Sequence, residues 1–184
     1  MNVSLTRANK LFLFDPEAKL MSGDFDKKLL LLAGKLQAGN LKVAAAESCT
    51  GGWLSQVFTS LAGSSSWFEG AIVSYSNAMK HKFLGVPVAL IDRYGAVSQP
   101  VVESMALGAV KHLSVPLSVS VSGVAGPEGG TDEKPVGTVW IGWCFNDQVT
   151  TEVFHFSGDR EQVRRQAVDV ALDGLIKLAD RISR

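Results

Sequence analysis

An apolar run, Leu41-Lys42-Val43-Ala44-Ala45, meets a compact turn, Ala46-Glu47-Ser48-Cys49-Thr50-Gly51-Gly52, and passes at once into Trp53-Leu54-Ser55-Gln56-Val57-Phe58. Such a junction has few solutions. The first run reads as a strand and the last as a helix, so the paired glycines must turn one into the other within a few residues. A Ser or Cys at that corner stands clear of the sheet, beside the unpaired and slightly positive N–H groups that open the helix. The corner can present a nucleophile, stabilise an oxyanion or hold a phosphate. Taken alone, it is equally an ordinary glycine-rich turn between a strand and a helix.

The rest of the chain repeats the alternation. Asp24 is a candidate N-cap for a helix through Leu29-Leu30-Leu31-Leu32 to Leu36, stopped by Gly39-Asn40. After the corner helix, to about Leu61, Ala62-Gly63-Ser64-Ser65-Ser66 reads as a loop. Ala71-Ile72-Val73-Ser74-Tyr75 is a second strand, and Asn77 to Leu84 a short helix. Pro87 and Gly95 punctuate the next section, and Pro100 opens a helix to about His112. Leu117 to Val121 is a third strand, running into the loop Gly123-Val124-Ala125-Gly126-Pro127-Glu128-Gly129-Gly130. Gly137 to Trp143 and Gln148 to Phe156 predict a hairpin across Asn146-Asp147. A long helix from about Asp159 to Ile182, apolar along Val163, Ala167, Val170, Leu172, Leu175 and Leu178, ends the chain. The expected fold is a single-domain three-layer α/β/α sandwich with a mixed sheet over residues 24–184. Residues 1–23 are expected to form a flexible or loosely docked extension.

Composition narrows the chemistry. The 184 residues carry 18 Lys and Arg against 18 Asp and Glu, with no long basic block, so no concentrated basic face is offered to nucleic acid or to a membrane. Met1 to Leu20 holds only the short apolar run Leu11-Phe12-Leu13-Phe14, too little for a secretory signal, and no stretch approaches a transmembrane helix. Cys49 and Cys144 are far apart, and His81, His112 and His155 are scattered, which speaks against a structural zinc site. Two cysteines without a secretion signal point to a reducing cytoplasm.

Three strand ends carry reactive side chains: Glu47, Ser48, Cys49 and Thr50 at the first; Tyr75, Ser76 and Asn77, then Lys80, at the second; Ser122 and the glycine loop at the third. In open α/β sheets ligands gather beyond the carboxyl ends of the strands, so these sets can converge. A serine needs a base, and no histidine occupies a strand end. A desolvated, neutral lysine can serve, and Lys80 is the lysine best placed; its alternative is a solvated residue beside His81 and Lys82. Glu47, Cys49 and Lys80 would instead make a Glu–Cys–Lys set of the nitrilase type, and Cys49 is otherwise a small buried hydrophobe. The glycine loop can bring backbone N–H groups to an anion. Arg160 can pair with a phosphate or simply cap the last helix.

The corner motif, Gly63-Ser64-Ser65, Val73-Ser74-Tyr75-Ser76-Asn77 with Lys80, Gly95-Ala96-Val97-Ser98, the loop from Gly123 to Gly130 and Pro135-Val136-Gly137-Thr138-Val139 occur in one order. Together they resemble the nicotinamide mononucleotide deamidase family, also met as the C-terminal domain of the competence-damage-inducible protein. The resemblance runs from about Asp24 to Arg184. It implies hydrolysis of the carboxamide of nicotinamide mononucleotide to nicotinic acid mononucleotide and ammonia, with no metal or other cofactor. It implies Ser48 as nucleophile, Lys80 as base and Tyr75 as a supporting hydroxyl. Glu47, Cys49, Thr50, Gly51, Gly52, Ser122, Gly123, Gly126, Gly129, Gly130 and Arg160 are the expected substrate contacts, with Thr50, Gly51 and Gly52 lining the pocket or supplying oxyanion N–H groups. Ser122 stands where many relatives carry threonine. Larger members add an N-terminal domain, whose activity is not expected here. Family context and the apolar hairpin predict a homodimer. Two other readings remain: an amidase using Cys49, and a non-catalytic nucleotide-binding or protein-interaction module.

Overall fold

A computed structural model describes residues 25–182. The extension expected over residues 1–23 and the Asp24 cap lie outside them. In chain order the elements are α1 (Asp26–Ala38), β1 (Val43–Glu47), α2 (Trp53–Ser60), β2 (Phe68–Val73), α3 (Asn77–Leu84), α4 (Val88–Tyr94), α5 (Gln99–Leu113), β3 (Leu117–Gly123), β4 (Thr138–Phe145), β5 (Gln148–His155) and α6 (Arg160–Ile182).

The strands form one sheet in the order β2-β1-β3-β4-β5. β1 runs parallel to both β2 and β3, while β3-β4 and β4-β5 are antiparallel, so the sheet is mixed as expected. Residues of β1 alternate between two cores. Val43 and Ala45 pack with α1, α2 and α6 residues such as Leu32, Phe58 and Leu172. Ala44 and Ala46 pack on the other face with Leu84, Ile91 and Met105 of α3, α4 and α5. The result is the predicted three-layer α/β/α sandwich. The small side chains of β1 let both helical layers approach closely.

Polar groups tie the layers together. Ser118 and Ser120 of β3 donate to the α5 carbonyls of Ala106 and Val102 at 2.7 and 2.6 Å. Such bonds satisfy hydroxyls that burial would otherwise penalise. Lys28 of α1 joins Asp169 and Asp173 of α6 at 2.7 and 2.8 Å.

Two elements differ from the sequence reading. β2 begins at Phe68 rather than Ala71 and ends at Val73, leaving Tyr75 beyond it. Its first residues include Gly70, where the register with β1 shifts between Val43 and Ala44, and the glycine disguises the strand as loop. The segment between Pro87 and Gly95 contains α4, which the sequence reading left as punctuation. Pro87 sits at its N-cap and Gly95 at its C-cap, so the two residues that suggested a break mark the ends of a short helix.

Candidate active site

Strand β1 lies between two parallel neighbours reached by crossovers on opposite faces: α2 on one, α3 to α5 on the other. That reversal is a topological switch point, where a crevice opens beyond the strand ends. Gly51 and Gly52, at φ of 61° and 95°, make the turn from β1 into α2. Both values lie in the left-handed region that glycine enters without a Cβ penalty.

β1 ends at Glu47, and Ser48 is aimed at α3. The Ser76 hydroxyl caps α3 by accepting from Met79 N at 3.2 Å, and Lys80 follows one turn later. Lys80 is 1% exposed. Its Nζ lies 2.8 Å from Ser48 Oγ, 2.8 Å from the Ser74 carbonyl oxygen and 3.4 Å from that of Tyr75. Carbonyls only accept. A neutral amine therefore gives its two N–H groups to Ser74 and Tyr75 and turns its lone pair toward the Ser48 hydroxyl. Burial lowers the Lys80 pKa from 10.5 to about 8, with a small opposing effect from Cys49. Among the described residues no carboxylate forms an ion pair with it.

Cys49 takes the other side. It borders the same crevice, yet it is 6% exposed and belongs to the core under α1, α2 and α6. Burial pushes its thiol pKa up to about 12, which suppresses the thiolate. Glu47 does not assemble with it and Lys80 as the nitrilase-type reading requires. The Glu47 carboxylate, fully buried, accepts from the N–H groups of Gly52 (2.9 Å), Leu54 (3.2 Å) and Ser55 (2.8 Å), and from the Ser55 hydroxyl. It fills the N-terminus of α2 instead of facing the crevice.

Tyr75 is 64% exposed, and its phenol accepts from Arg160 at 3.3 Å. Arg160 also donates to the Gly126 carbonyl at 2.7 Å, bridging the end of β2, the glycine loop and the start of α6. Ser122 is buried at the end of β3 and donates to the Ala96 carbonyl at 2.9 Å. A cavity of about 250 Å³ brings together Ser48, Lys80, Tyr75, Ser122, Gly123 and Arg160. Gly51 and Gly52 line a neighbouring groove of about 540 Å³ instead, which shares Arg160 with it. Gly129 and Gly130 line neither, Gly126 contributes through its carbonyl, and Thr50 is wholly buried. The N–H groups of Gly51 and Gly52 are engaged, with Ser48 O (3.1 Å) and Glu47, so neither glycine supplies a free oxyanion donor.

Sequence reasoning missed Ala96 and Val97, which wall the cavity, although their motif was visible. It also missed Arg164, whose guanidinium donates to the carbonyls of Cys49 at 3.1 Å and Thr50 at 2.7 Å. Spacing held a signal for it: Arg164 is four residues after Arg160, on the same face of α6. The histidines lie elsewhere; His81 contacts Val86 O and His155 contacts Thr138 Oγ1. Among the described residues no cluster of His, Cys, Asp or Glu could hold a metal ion, and no helix is long and apolar enough to cross a membrane.

Residues 27–179 match the CinA C-terminal domain family. This chain belongs to that family. The nicotinamide-nucleotide amidohydrolase PncC of Pseudomonas putida is 52% identical over 147 residues, spanning 80% of this chain and 92% of the relative. The protein of the same name from Escherichia coli K12 is 50% identical over 141 residues, spanning 76% and 86%. A CinA-like protein of Colwellia psychrerythraea is 44% identical over 83% of this chain but only 35% of its own length, so the CinA domain also occurs within longer proteins. Among solved structures, a CinA superfamily protein of Klebsiella pneumoniae superposes with a TM-score of 0.83 at 32% identity, covering 86% of this chain and 99% of that one. The competence/damage-inducible protein CihA of Agrobacterium tumefaciens gives 0.82 at 35% identity, covering 85% and 96%.

Proposed function

We propose that this chain is a nicotinamide-nucleotide amidohydrolase that converts nicotinamide mononucleotide to nicotinic acid mononucleotide and ammonia. Relatives carrying that name at about half identity support the reaction. The observation that carries the mechanism is the 2.8 Å contact of a buried, unpaired Lys80 amine with Ser48.

In this reading Ser48 Oγ attacks the carboxamide carbon as the Lys80 lone pair takes its proton. Negative charge collects on the carbonyl oxygen, where preorganised N–H donors each typically contribute about 3–4 kcal/mol. The Lys80 ammonium then protonates the departing nitrogen, releasing ammonia and leaving an ester on Ser48. Water adds to that ester as Lys80 again takes a proton, and its return to Ser48 frees the acid. Tyr75 supports Lys80 through its carbonyl and Arg160 through its phenol.

The phosphate is assigned to Arg160 rather than to the turn before α2. Glu47 already occupies the amides at that helix start. Arg160 borders both the cavity and the wider groove, so a nucleotide can span them. Burial and the raised pKa of Cys49 count against a cysteine mechanism. A homodimer and a cytoplasmic location belong to the same proposal. Support comes from the exposed apolar side chains of Val73, Tyr75, Met79 and Phe83 and from two free buried cysteines. Ammonia release from nicotinamide mononucleotide by the purified protein, set against Ser48→Ala, tests the reading. Ligand-induced thermal stabilisation without ammonia release would favour the binding-module alternative.

A further inference from the structure

Arg164 lies one helical turn beyond Arg160 on the same face of α6, and both border the groove of about 540 Å³ beside the Ser48 cavity. The two arginines are held differently. Arg160 is exposed, with contacts to the Tyr75 phenol and the Gly126 carbonyl. Arg164 is half-buried. Its Nε donates to Cys49 O at 3.1 Å and its Nη2 to Thr50 O at 2.7 Å, and its guanidinium carbon stands 5.2 Å from the centre of the Trp53 ring.

Those contacts fix the guanidinium without using it up. It carries five N–H groups, of which the two carbonyls take one each; the other three meet no acceptor among the described residues. Neither arginine forms an ion pair among those residues. A guanidinium stacked on a ring keeps its edge for hydrogen bonds, and this one lines the groove. A Cβ at Gly51 would stand 3.6 Å from Arg164 Nη2, so the glycine leaves that nitrogen open on the groove side. A half-buried cation with unused donors and no carboxylate partner suits an anionic ligand.

Resting on the amidohydrolase reading and its placement of the phosphate at Arg160, we propose that Arg164 is a second phosphate-binding residue. The groove then holds the ribose 5-phosphate end of the nucleotide while the pyridine ring enters the Ser48 cavity. A guanidinium already pinned by two carbonyls and a ring loses little side-chain freedom on binding, whereas exposed Arg160 must be ordered. Solvent ions also screen a half-buried charge less. Arg164 is therefore the stronger anchor of the pair. Glu161 is the one acid lining the groove; it is exposed, and its charge weakens the attraction of the two arginines without cancelling it.

The experiment titrates ribose 5-phosphate calorimetrically into wild type, Arg164→Gln, Arg164→Lys and Glu161→Gln, with ribose as the control lacking phosphate. Ammonia release from nicotinamide mononucleotide and from the corresponding ribonucleoside is measured on the same proteins, and thermal unfolding checks that each folds. Arg164→Gln is expected to weaken ribose 5-phosphate binding about tenfold or more, and to lower kcat/KM more for the nucleotide than for the nucleoside. Arg164→Lys should keep part of the affinity, as a point charge does. It carries the same comparison if Arg164→Gln does not fold. Glu161→Gln should bind ribose 5-phosphate as tightly as wild type or more so. An unchanged Kd in a folded Arg164 variant overturns the inference, as do equal losses on nucleotide and nucleoside, which would make Arg164 a purely structural tie to the corner. Wild type that binds ribose 5-phosphate through Arg164 but releases no ammonia overturns the amidohydrolase reading and leaves the phosphate site standing.

Discussion

Lys80 Nζ stands 2.8 Å from Ser48 Oγ while two backbone carbonyls, those of Ser74 and Tyr75, engage the rest of the amine. The relationship ties together two residues distant in sequence through parallel pairing. Glu47 of β1 pairs with Val73 of β2, and Ser74 N donates to Glu47 O at 2.7 Å, so the chain entering α3 leaves the sheet beside the corner that carries Ser48. Removing either partner leaves the other without a role. Ser48→Ala and Lys80→Ala are each expected to reduce kcat by at least about 1,000-fold, as loss of a member of a nucleophile–base unit does. Cys49→Ala should keep much of the activity, since its thiol is buried on the opposite face. Steady-state ammonia release from the three variants checks this assignment.

The lowered Lys80 pKa sets a pH dependence. The base form is the unprotonated amine, so kcat/KM should rise with pH and level off above about 8. At pH 7 roughly a tenth of the enzyme would hold neutral Lys80. A pH–rate profile that is flat between about pH 7 and 9, one unit either side of that pKa, contradicts lysine as the base.

The same shift predicts a stability change. Between about 8 and 10.5 the unfolded chain protonates this lysine and the folded chain does not, so the unfolded state binds more protons and stability rises with pH across that window. The span of the shift corresponds to roughly 3 kcal/mol. Lys80→Met has no such titration. Denaturant unfolding of both proteins should show wild type gaining on the variant as pH rises from about 8 toward 10.5; parallel curves would contradict a depressed lysine.

Arg160 joins the phenol of Tyr75 to the carbonyl of Gly126 at the edge of the cavity. A guanidinium that also contacts phosphate contributes about 1.5–3 kcal/mol through charge-assisted bonds. Arg160→Ala should therefore raise KM for nicotinamide mononucleotide by roughly ten- to a hundredfold, with the smaller effect on kcat. The corresponding ribonucleoside, lacking the phosphate, should lose far less on the same substitution. Equal losses on both substrates would place the phosphate elsewhere.

Much of this architecture was legible because apolar periodicity and glycine placement reflect local physics. The run before Gly51 and Gly52 announced the strand-to-helix corner, and the apolar side of residues 159–182 announced α6. Lys80 was reachable because its position one turn into a capped helix follows from the spacing after Tyr75. Glu47 was not. Its partners are backbone amides of α2, and the sequence shows no backbone amides, so an acid two residues before a cysteine suggested a Glu–Cys–Lys set with Lys80. Arg164 was missed for a related reason, since its acceptors are carbonyls more than a hundred residues earlier in the chain. Gly129 and Gly130 attracted attention through composition, but neither lines the cavity, which the loop reaches through Gly123 and Ala125.

Ammonia release from nicotinamide mononucleotide by wild-type protein, measured beside Ser48→Ala and with free nicotinamide as a second substrate, tests the central claim most directly. The account predicts release that requires the nucleotide and disappears in Ser48→Ala. Full activity in a folded Ser48→Ala, or a folded wild-type protein that releases none, would contradict it.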